Sequence, residues 1–174
     1  MKRTLLVSAL FAAAQLVCLP AVSLAQKAVF VVRHAEKASD ANEPSVPLSE
    51  AGAARAQRLA ALLKDAGVSA IYSTDTVRTK KTAEPLAATA KREIQIYEPT
   101  GSDGKVSLKP LAERLRRKNT ADVVLVVGHG NTIGPLLSEL GCAESVSIAG
   151  DEYDNLFVVV PRGQARSELL RLRY

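Results

Sequence analysis

The chain has 174 residues, a formal net charge of +5, two cysteines and two histidines. This length allows one domain but not two, and two cysteines are too few for a disulfide framework. The positive charge is not concentrated in a long lysine or arginine run, which argues against a nucleic-acid partner and favours a small anionic ligand. With only His34 and His129 and no metal-binding spacing, we expect no metal and no cofactor.

The first 25 residues are typical of a secretory signal. A basic start precedes an apolar segment over 5–19, and small residues favour a cut after Ala25. The alternative is an uncleaved membrane anchor, although the segment is shorter than the ~20 residues that span a bilayer. We therefore predict a signal peptide over 1–25 and an exported, periplasmic domain over 26–174 that has no membrane attachment after cleavage and keeps Cys142 as its single cysteine.

The next segment begins with a β-branched apolar run. Ala28 to Val32 predicts a strand buried on both faces of a sheet, and Arg33 and His34 follow it directly. In an open α/β sheet, ligands bind at the ends of such strands. The segment therefore places a fixed cation and an imidazole in a crevice, although the pair alone fits a solvated loop equally well.

A proline-rich loop over 38–47 is predicted to pass over this crevice. Ser49 then caps a helix that has Glu50 in its first turn and is expected to end at Gly67. The helix has one apolar stripe that we expect to be buried, formed by Ala53, Ala56, Leu59, Ala60, Leu62 and Leu63.

A second strand and helix repeat the pattern. Val68 to Tyr72 is β-prone, and the polar segment 73–76 can cap a helix over 77–90, which we expect Pro85 to kink. Arg78 lies near the N-terminus of that helix, where free backbone donors and a partial positive charge favour an anion.

The remaining elements complete an α/β pattern. We predict a third strand over 94–97, a loop over 98–105, a basic amphipathic helix over 108–118 with a solvated face, and an antiparallel edge pair over 157–160 and 169–172.

The longest strand signal, over 122–127, leads into a second histidine. Gly128 and His129 follow the strand, and a helix is expected from about Ile133 to Leu140, capped by Asn131 or Thr132. This repeats the order of strand, histidine and helix start seen at the beginning of the domain.

Three strand ends thus present Arg33 with His34, Arg78, and His129. Because the carboxyl ends of parallel strands meet at one edge of a sheet, we expect these four side chains in one pocket. Each arginine offers a planar fork to phosphate oxygens, and a neutral imidazole can attack phosphorus. The set therefore indicates chemistry on a phosphoryl group.

Four segments, in order, resemble the histidine phosphatases, also called the phosphoglycerate-mutase-like superfamily. Residues 31–37 resemble its Arg-His-Gly signature and 47–52 its Leu-Thr-x-x-Gly helix start. Residues 72–83 resemble the segment whose arginine joins the phosphate pocket, and 127–132 the segment of the second histidine. The resemblance implies a three-layer α/β/α sandwich with a mixed, mostly parallel central sheet.

The resemblance also implies a role for each residue of the set. His34 would be the phosphorylated nucleophile, Arg33 and Arg78 would bind the phosphate, and His129 would stabilise the transferring group. Ala35 replaces the usual glycine after the nucleophile, a change that ordinary backbone geometry tolerates.

The general acid is not defined by the resemblance, because the insertion that carries it in larger members is absent. The candidates are five carboxylates: Glu36, Asp103, Glu98, Glu152 and Asp154. Without a lid, the pocket should be open to water, which favours hydrolysis over a mutase that shelters its phosphoenzyme.

The sequence therefore predicts a metal-independent hydrolase of a phosphomonoester or a phosphohistidine, acting on a small phosphorylated substrate through a phosphohistidine intermediate. The alternatives are a non-catalytic phosphate- or phosphosugar-binding module and a mutase of the same superfamily. The sequence leaves the oligomeric state open.

Overall fold

The computed structural model describes residues 28–117, 123–162 and 166–174. Within these residues six strands form one sheet. The strands are β1 (Ala28–Arg33), β2 (Val68–Ser73), β3 (Ile94–Ile96), β4 (Val123–Gly128), β5 (Asn155–Val160) and β6 (Glu168–Arg173). The helices are α1 (Glu50–Leu63), α2 (Val77–Ala90), α3 (Lys109–Arg117) and α4 (Gly130–Glu139).

The sheet is mixed and mostly parallel, as predicted. Its order is β3-β2-β4-β1-β5-β6. The first four strands in this order, β3, β2, β4 and β1, are parallel to one another. In contrast, β5 is antiparallel to β1, and β6 is antiparallel to β5. The final pair therefore forms the antiparallel edge that the sequence indicated.

Each face of the sheet is covered by two helices, which confirms the three-layer sandwich. The alternation along β4 shows the division: Val124 and Val126 pack with α3 and α4, whereas Leu125 and Val127 pack with α1 and α2. All four side chains are fully buried. Both faces of this central strand are thus covered, which explains its continuous apolar sequence.

The predicted start of α1 is confirmed, but its end and part of its stripe are wrong. The Ser49 hydroxyl accepts a hydrogen bond from the Gly52 amide, as an N-cap does. The helix ends at Leu63, and a turn continues to Gly67, whose φ of 68° suits glycine. Ala53 and Leu62 are exposed, because they lie at the border of the stripe.

The largest boundary correction is at α4. The helix begins at Gly130 and uses His129 as its N-cap, so it starts three residues before Ile133 and neither Asn131 nor Thr132 is the cap. The Thr132 hydroxyl instead accepts from the His129 amide, which brings that histidine into the first turn.

Several other predictions meet the limits of the described residues. The predicted signal over 1–25 lies outside them, as do the last residue of the predicted third helix and the first residue of the predicted fourth strand, Asp122.

Pro85 lies inside α2, which continues to Ala90. Cys142 is buried and free. No helix among the described residues is both long and apolar enough to cross a membrane.

Candidate active site

Three neighbouring strands deliver the candidate residues to one edge of the sheet. In the order β2-β4-β1, Arg33 pairs with Gly128 and Ser73 pairs with Val127, so the three strands end level with one another. His34 and His129 follow the first pair directly, and their ring centroids are 5.3 Å apart at an interplanar angle of 64°. The predicted convergence is therefore observed.

These residues line an open pocket of about 500 Å³. Its inner part is formed by the four predicted side chains, and its outer part by three loops. The lining residues are Arg33, His34, Lys37, Asn42, Arg78, Pro99, Thr100, Val106, His129, Gly130, Asn131, Thr132, Ile148, Ala149 and Gly150.

The His34 ring has a defined tautomer. Its Nδ1 atom lies 2.8 Å from the Ala35 carbonyl oxygen. Because a carbonyl can only accept, Nδ1 carries the proton and Nε2 keeps its lone pair. The His34 amide also donates to the Gly128 carbonyl at 2.9 Å, which ties the residue to β4. An imidazole held in this way can act as a nucleophile through Nε2.

Burial keeps the His34 ring neutral. The residue is 4% exposed, and desolvation lowers its pKa from 6.5 to about 3, in spite of the Ala35 hydrogen bond, which raises it. The positive charges of Arg33 and Arg78 make smaller contributions to this lowering of the pKa. The His34 ring is therefore unprotonated throughout the neutral and mildly acidic range.

His129 is held by two threonine hydroxyls. Its Nε2 lies 2.8 Å from the Thr74 Oγ1, and its amide donates to the Thr132 Oγ1 at 2.9 Å. Burial, with smaller contributions from the charges of Arg78 and Arg33, lowers the pKa of His129 to about 4. Both imidazoles are thus neutral at pH 7.

The hydroxyl of Thr74 belongs to a chain that orients the His129 ring. Thr74 donates to the Thr79 Oγ1 at 3.1 Å, and Thr79 donates in turn to the Thr74 carbonyl at 2.9 Å. With its proton committed to Thr79, the Thr74 oxygen accepts from His129, so the proton of that ring is on Nε2.

A fourth buried threonine, Thr82, fixes the segment after His34. The Thr82 Oγ1 accepts from the Ala35 amide at 3.0 Å and donates to the Arg78 carbonyl at 2.8 Å. Ala35 has a negative φ, so its replacement of glycine creates no backbone strain. The first turns of α2 therefore position both histidines.

Each arginine is anchored through one nitrogen. Arg33 Nη1 donates to the carbonyls of Ala149 and Gly150, both at 2.9 Å, and to that of Glu152 at 3.1 Å. Arg78 Nη1 donates to the Glu43 carbonyl at 3.0 Å. The Nε atoms of both are buried and have no hydrogen-bond partner among the described residues. Each guanidinium therefore keeps a side edge with which it can bind two oxygens of a phosphate.

The two arginines are not compensated by acidic groups. Burial and the neighbouring charge of Arg33 lower the pKa of Arg78. No carboxylate is among the residues that line the pocket in the described part of the chain. An anion bound between the arginines would relieve this repulsion.

The five candidate general acids lie elsewhere. Glu36 accepts from Arg55 at 2.6 to 2.9 Å, which holds its pKa below the usual value. Glu152 accepts from the Ala149 amide and pairs with Arg173, and its pKa is lowered as well. A general acid at neutral pH needs a raised pKa, so neither group suits the role.

The other three candidates do not line the pocket either. The pKa of Asp154 is lowered by its hydrogen bond from Arg173. Asp103 is exposed and accepts from the Lys105 amide, and Glu98 is exposed. None of the five lines the pocket, so the structure brings together the four cationic and imidazole side chains but no proton donor of the carboxylic type.

The model of the histidine phosphatase superfamily, branch 1, matches residues 29–99, which contain β1, α1, β2, α2 and β3. Over these residues the chain is similar to the histidine phosphatase superfamily. The matched residues include His34 and Arg78, while His129 is supplied by the adjacent β4.

Solved structures share the fold of this chain. The protein histidine phosphatase SixA, complexed with tungstate, is similar with a TM-score of 0.68 and 20% identity over 84% of this chain and 96% of that one. A mycobacterial glucosyl-3-phosphoglycerate phosphatase is similar with a TM-score of 0.63 and 17% identity over 83% and 97%. No curated protein is significantly similar in sequence.

Sequence reasoning missed several residues of this candidate site. Thr74 and Thr82 were not singled out, although five hydroxyl side chains fall between residues 73 and 82. Such a density at one helix start exceeds what capping requires and could have suggested a network. Lys37 and Asn42 were also missed, because loop residues carry no periodic signal.

Proposed function

We propose that this protein is a histidine phosphatase, which hydrolyses a phosphorylated substrate through a covalent phosphohistidine at His34. The observation that carries the proposal is the hydrogen bond from His34 Nδ1 to the Ala35 carbonyl, at 2.8 Å, which leaves the Nε2 lone pair available inside a cationic pocket. A desolvated, neutral and oriented imidazole of this kind is an activated nucleophile.

The first step transfers the phosphoryl group. The Nε2 lone pair of His34 forms a bond to phosphorus while the bond from phosphorus to the leaving group breaks and the leaving group takes its electron pair. The side edges of Arg33 and Arg78 bind the equatorial oxygens, whose charge rises in the transition state. The His129 ring, whose centroid lies 5.3 Å from that of His34, is placed beside the group in transfer.

The second step regenerates the enzyme. Water entering the open pocket attacks phosphorus, the bond to Nε2 breaks, and its electron pair returns to His34 as the water loses a proton to the released phosphate or to solvent. Arg33 and Arg78 meet the phosphate charge in both steps, so we propose that no metal is needed. Prolonged dialysis against a strong chelator should leave the rate unchanged, and a loss restored by a divalent ion would contradict this part of the proposal.

The pocket favours substrates whose leaving group needs no proton from a carboxylic acid. An alkoxide needs a proton as it leaves, whereas the imidazole of a phosphohistidine leaves neutral when its other nitrogen is protonated. A phosphohistidine or a phosphomonoester of an acidic alcohol therefore fits this site better than the ester of an ordinary alcohol. SixA, named as a protein histidine phosphatase, shares the fold.

The experiment is a turnover assay with phosphohistidine, aryl phosphates and alkyl phosphates. The purified protein is compared with His34→Gln and with the control Lys81→Gln, which alters an exposed ion pair on α2 that does not line the pocket. We expect turnover and an alkali-stable phosphoenzyme in the wild type and the control, and neither in His34→Gln. Turnover by His34→Gln above a few per cent would overturn the mechanism.

Two other functions remain as outcomes of the same assay. A non-catalytic phosphate- or phosphosugar-binding module is favoured by the absence of a carboxylate from the described pocket, and it would bind phosphate without turnover. A mutase would return the phosphoryl group to an acceptor, which the open pocket disfavours because water reaches the phosphoenzyme.

We also propose that residues 1–25 export the protein to the periplasm. The basis is the sequence of that segment, with its basic start, apolar run and small residues before the cut. N-terminal sequencing of protein from the periplasmic fraction should begin at Gln26. Recovery with Met1 in the cytoplasmic or membrane fraction would contradict the proposal.

A further inference from the structure

A third cation lies in the outer part of the pocket. Lys37 follows the nucleophile by three residues and lines the same cavity, together with Asn42. Its ammonium group donates to the carbonyl of Ala41 at 2.8 Å and to that of Asp40 at 3.2 Å. These contacts hold the lysine in place without neutralising its charge, since both partners are uncharged carbonyls.

The charge of the pocket exceeds what a phosphoryl group needs. Arg33, Lys37 and Arg78 line it, and no carboxylate does so within the described residues. The nearby acids Glu36 and Glu152 are paired with other arginines. A phosphoryl dianion offsets two of the three positive charges, which leaves the charge of Lys37 for another group.

The rest of the outer rim is neutral. Pro99 and Val106, from the loop after β3, and Ile148, from the loop before β5, line it with apolar surface, and Val106 is 42% exposed. The pocket is also larger than one phosphate group, at about 500 Å³. A substrate can therefore place an apolar body against this rim while a charged substituent reaches Lys37.

We propose that Lys37, with Asn42 beside it, forms a subsite for a second anionic group on the leaving part of the substrate, with carboxylate as the simplest case. This inference rests on the proposed function, because it assigns the phosphoryl group to the inner arginines. It makes Lys37 a specificity determinant, since a phosphorylated compound without the second anion gains nothing from this lysine.

The test compares two probes that differ mainly in charge, 3-carboxyphenyl phosphate and 3-carbamoylphenyl phosphate. The quantity measured is the ratio of their kcat/KM values in wild type, Lys37→Gln, Lys37→Arg and the control Lys81→Gln. Differences in leaving-group chemistry cancel when this ratio is compared between variants. We expect Lys37→Gln to lower the ratio about fivefold, the size of one partly exposed ion pair, and Lys37→Arg and Lys81→Gln to keep it.

A binding arm separates failure of the subsite from failure of the proposed hydrolysis. The non-hydrolysable 3-phosphonobenzoate and 3-phosphonobenzamide are compared by calorimetry with wild type and Lys37→Gln. A carboxylate preference that is lost in Lys37→Gln and weakens with added salt supports the subsite even if no probe is turned over. An equal affinity of the wild type for both phosphonates, or a preference that survives in Lys37→Gln, overturns it.

Discussion

The protonation of His34 is the property from which the proposed chemistry can be tested most directly. With a pKa of about 3, only about 1% of the ring is protonated at pH 5, whereas a ring with the ordinary value of 6.5 would be about 97% protonated. His129, with a pKa of about 4, should be about 9% protonated at that pH. Lowering the pH from 7 to 5 should therefore leave both imidazoles neutral.

The chain suits a nuclear magnetic resonance titration because it has only two histidines. Two ring C2–H signals are expected, and His34→Gln removes one of them and so assigns both. We expect both signals to keep their shifts between pH 7 and pH 5. Two-bond correlations to ¹⁵N should show His34 protonated at Nδ1, because that atom donates to the Ala35 carbonyl, and His129 protonated at Nε2.

The same property predicts how stability depends on pH. The unfolded chain binds a proton at His34 near pH 6.5 and the folded chain only near pH 3, so protons favour the unfolded state as the pH falls through this window. The difference corresponds to a loss of about 5 kcal/mol in the free energy of unfolding once the pH is below 3. Denaturant titrations should show a smaller loss for His34→Gln, in which this ring is absent.

A titration midpoint near 6.5 for the His34 signal would refute this reasoning. Such a midpoint would mean that the ring is exposed to solvent, and an exposed ring could not be the desolvated nucleophile of the proposed mechanism. A His34 ring protonated at Nε2 would refute it independently, since the lone pair would then face the Ala35 carbonyl.

The remaining predictions concern the groups around the nucleophile. Arg78→Ala should weaken inhibition by phosphate as well as lower kcat/KM, by about 2–4 kcal/mol, whereas His129→Ala should lower mainly kcat, and steady-state kinetics with phosphate inhibition separates the two. Thr74→Val should lower kcat about tenfold and disturb the His129 ¹⁵N shifts, while Thr74→Ser keeps both because it retains the hydroxyl; equal activity of the two variants would contradict the orienting role. Gly52→Ala should destabilise the fold by about 1–3 kcal/mol in denaturant titrations, because the added Cβ would lie 2.3 Å from the Glu36 carbonyl oxygen.

Much of the fold could be predicted because its signals are local and periodic. The apolar runs that became β1, β2 and β4 carry β-branched residues buried on both faces, and Ser49 has the side chain and position of an N-cap. The border residues of α1 could not be assigned in the same way. Ala53 and Leu62 are apolar yet exposed, since the width of the buried stripe depends on how closely the sheet approaches, which the helix sequence does not encode.

The site could be predicted to the extent that strand ends determine it. Arg33 is the last residue of β1, and His34 and His129 lie directly after β1 and β4, so the topology alone brings them together. The partners of the acids could not be predicted, because the Arg55 that binds Glu36 is 19 residues away and comes from α1. The same limit applies to Thr74 and Thr82, whose contacts with His129 and Ala35 depend on how α2 packs against two loops.

The position of β4 in the sheet has a consequence for folding. His34 and Arg78 follow β1 and β2, which are not neighbours, because β4 lies between them and pairs with both. A nascent chain that has not yet extruded β4 holds His34 and Arg78 after strands that share no edge. The pocket can form only after β1 (Ala28–Arg33) has paired with β4 (Val123–Gly128). The paired residues of these two strands are about 95 positions apart in the sequence. Such non-local pairing is slow, so the ability to bind phosphate should appear with the last steps of folding and can serve as a marker of their completion.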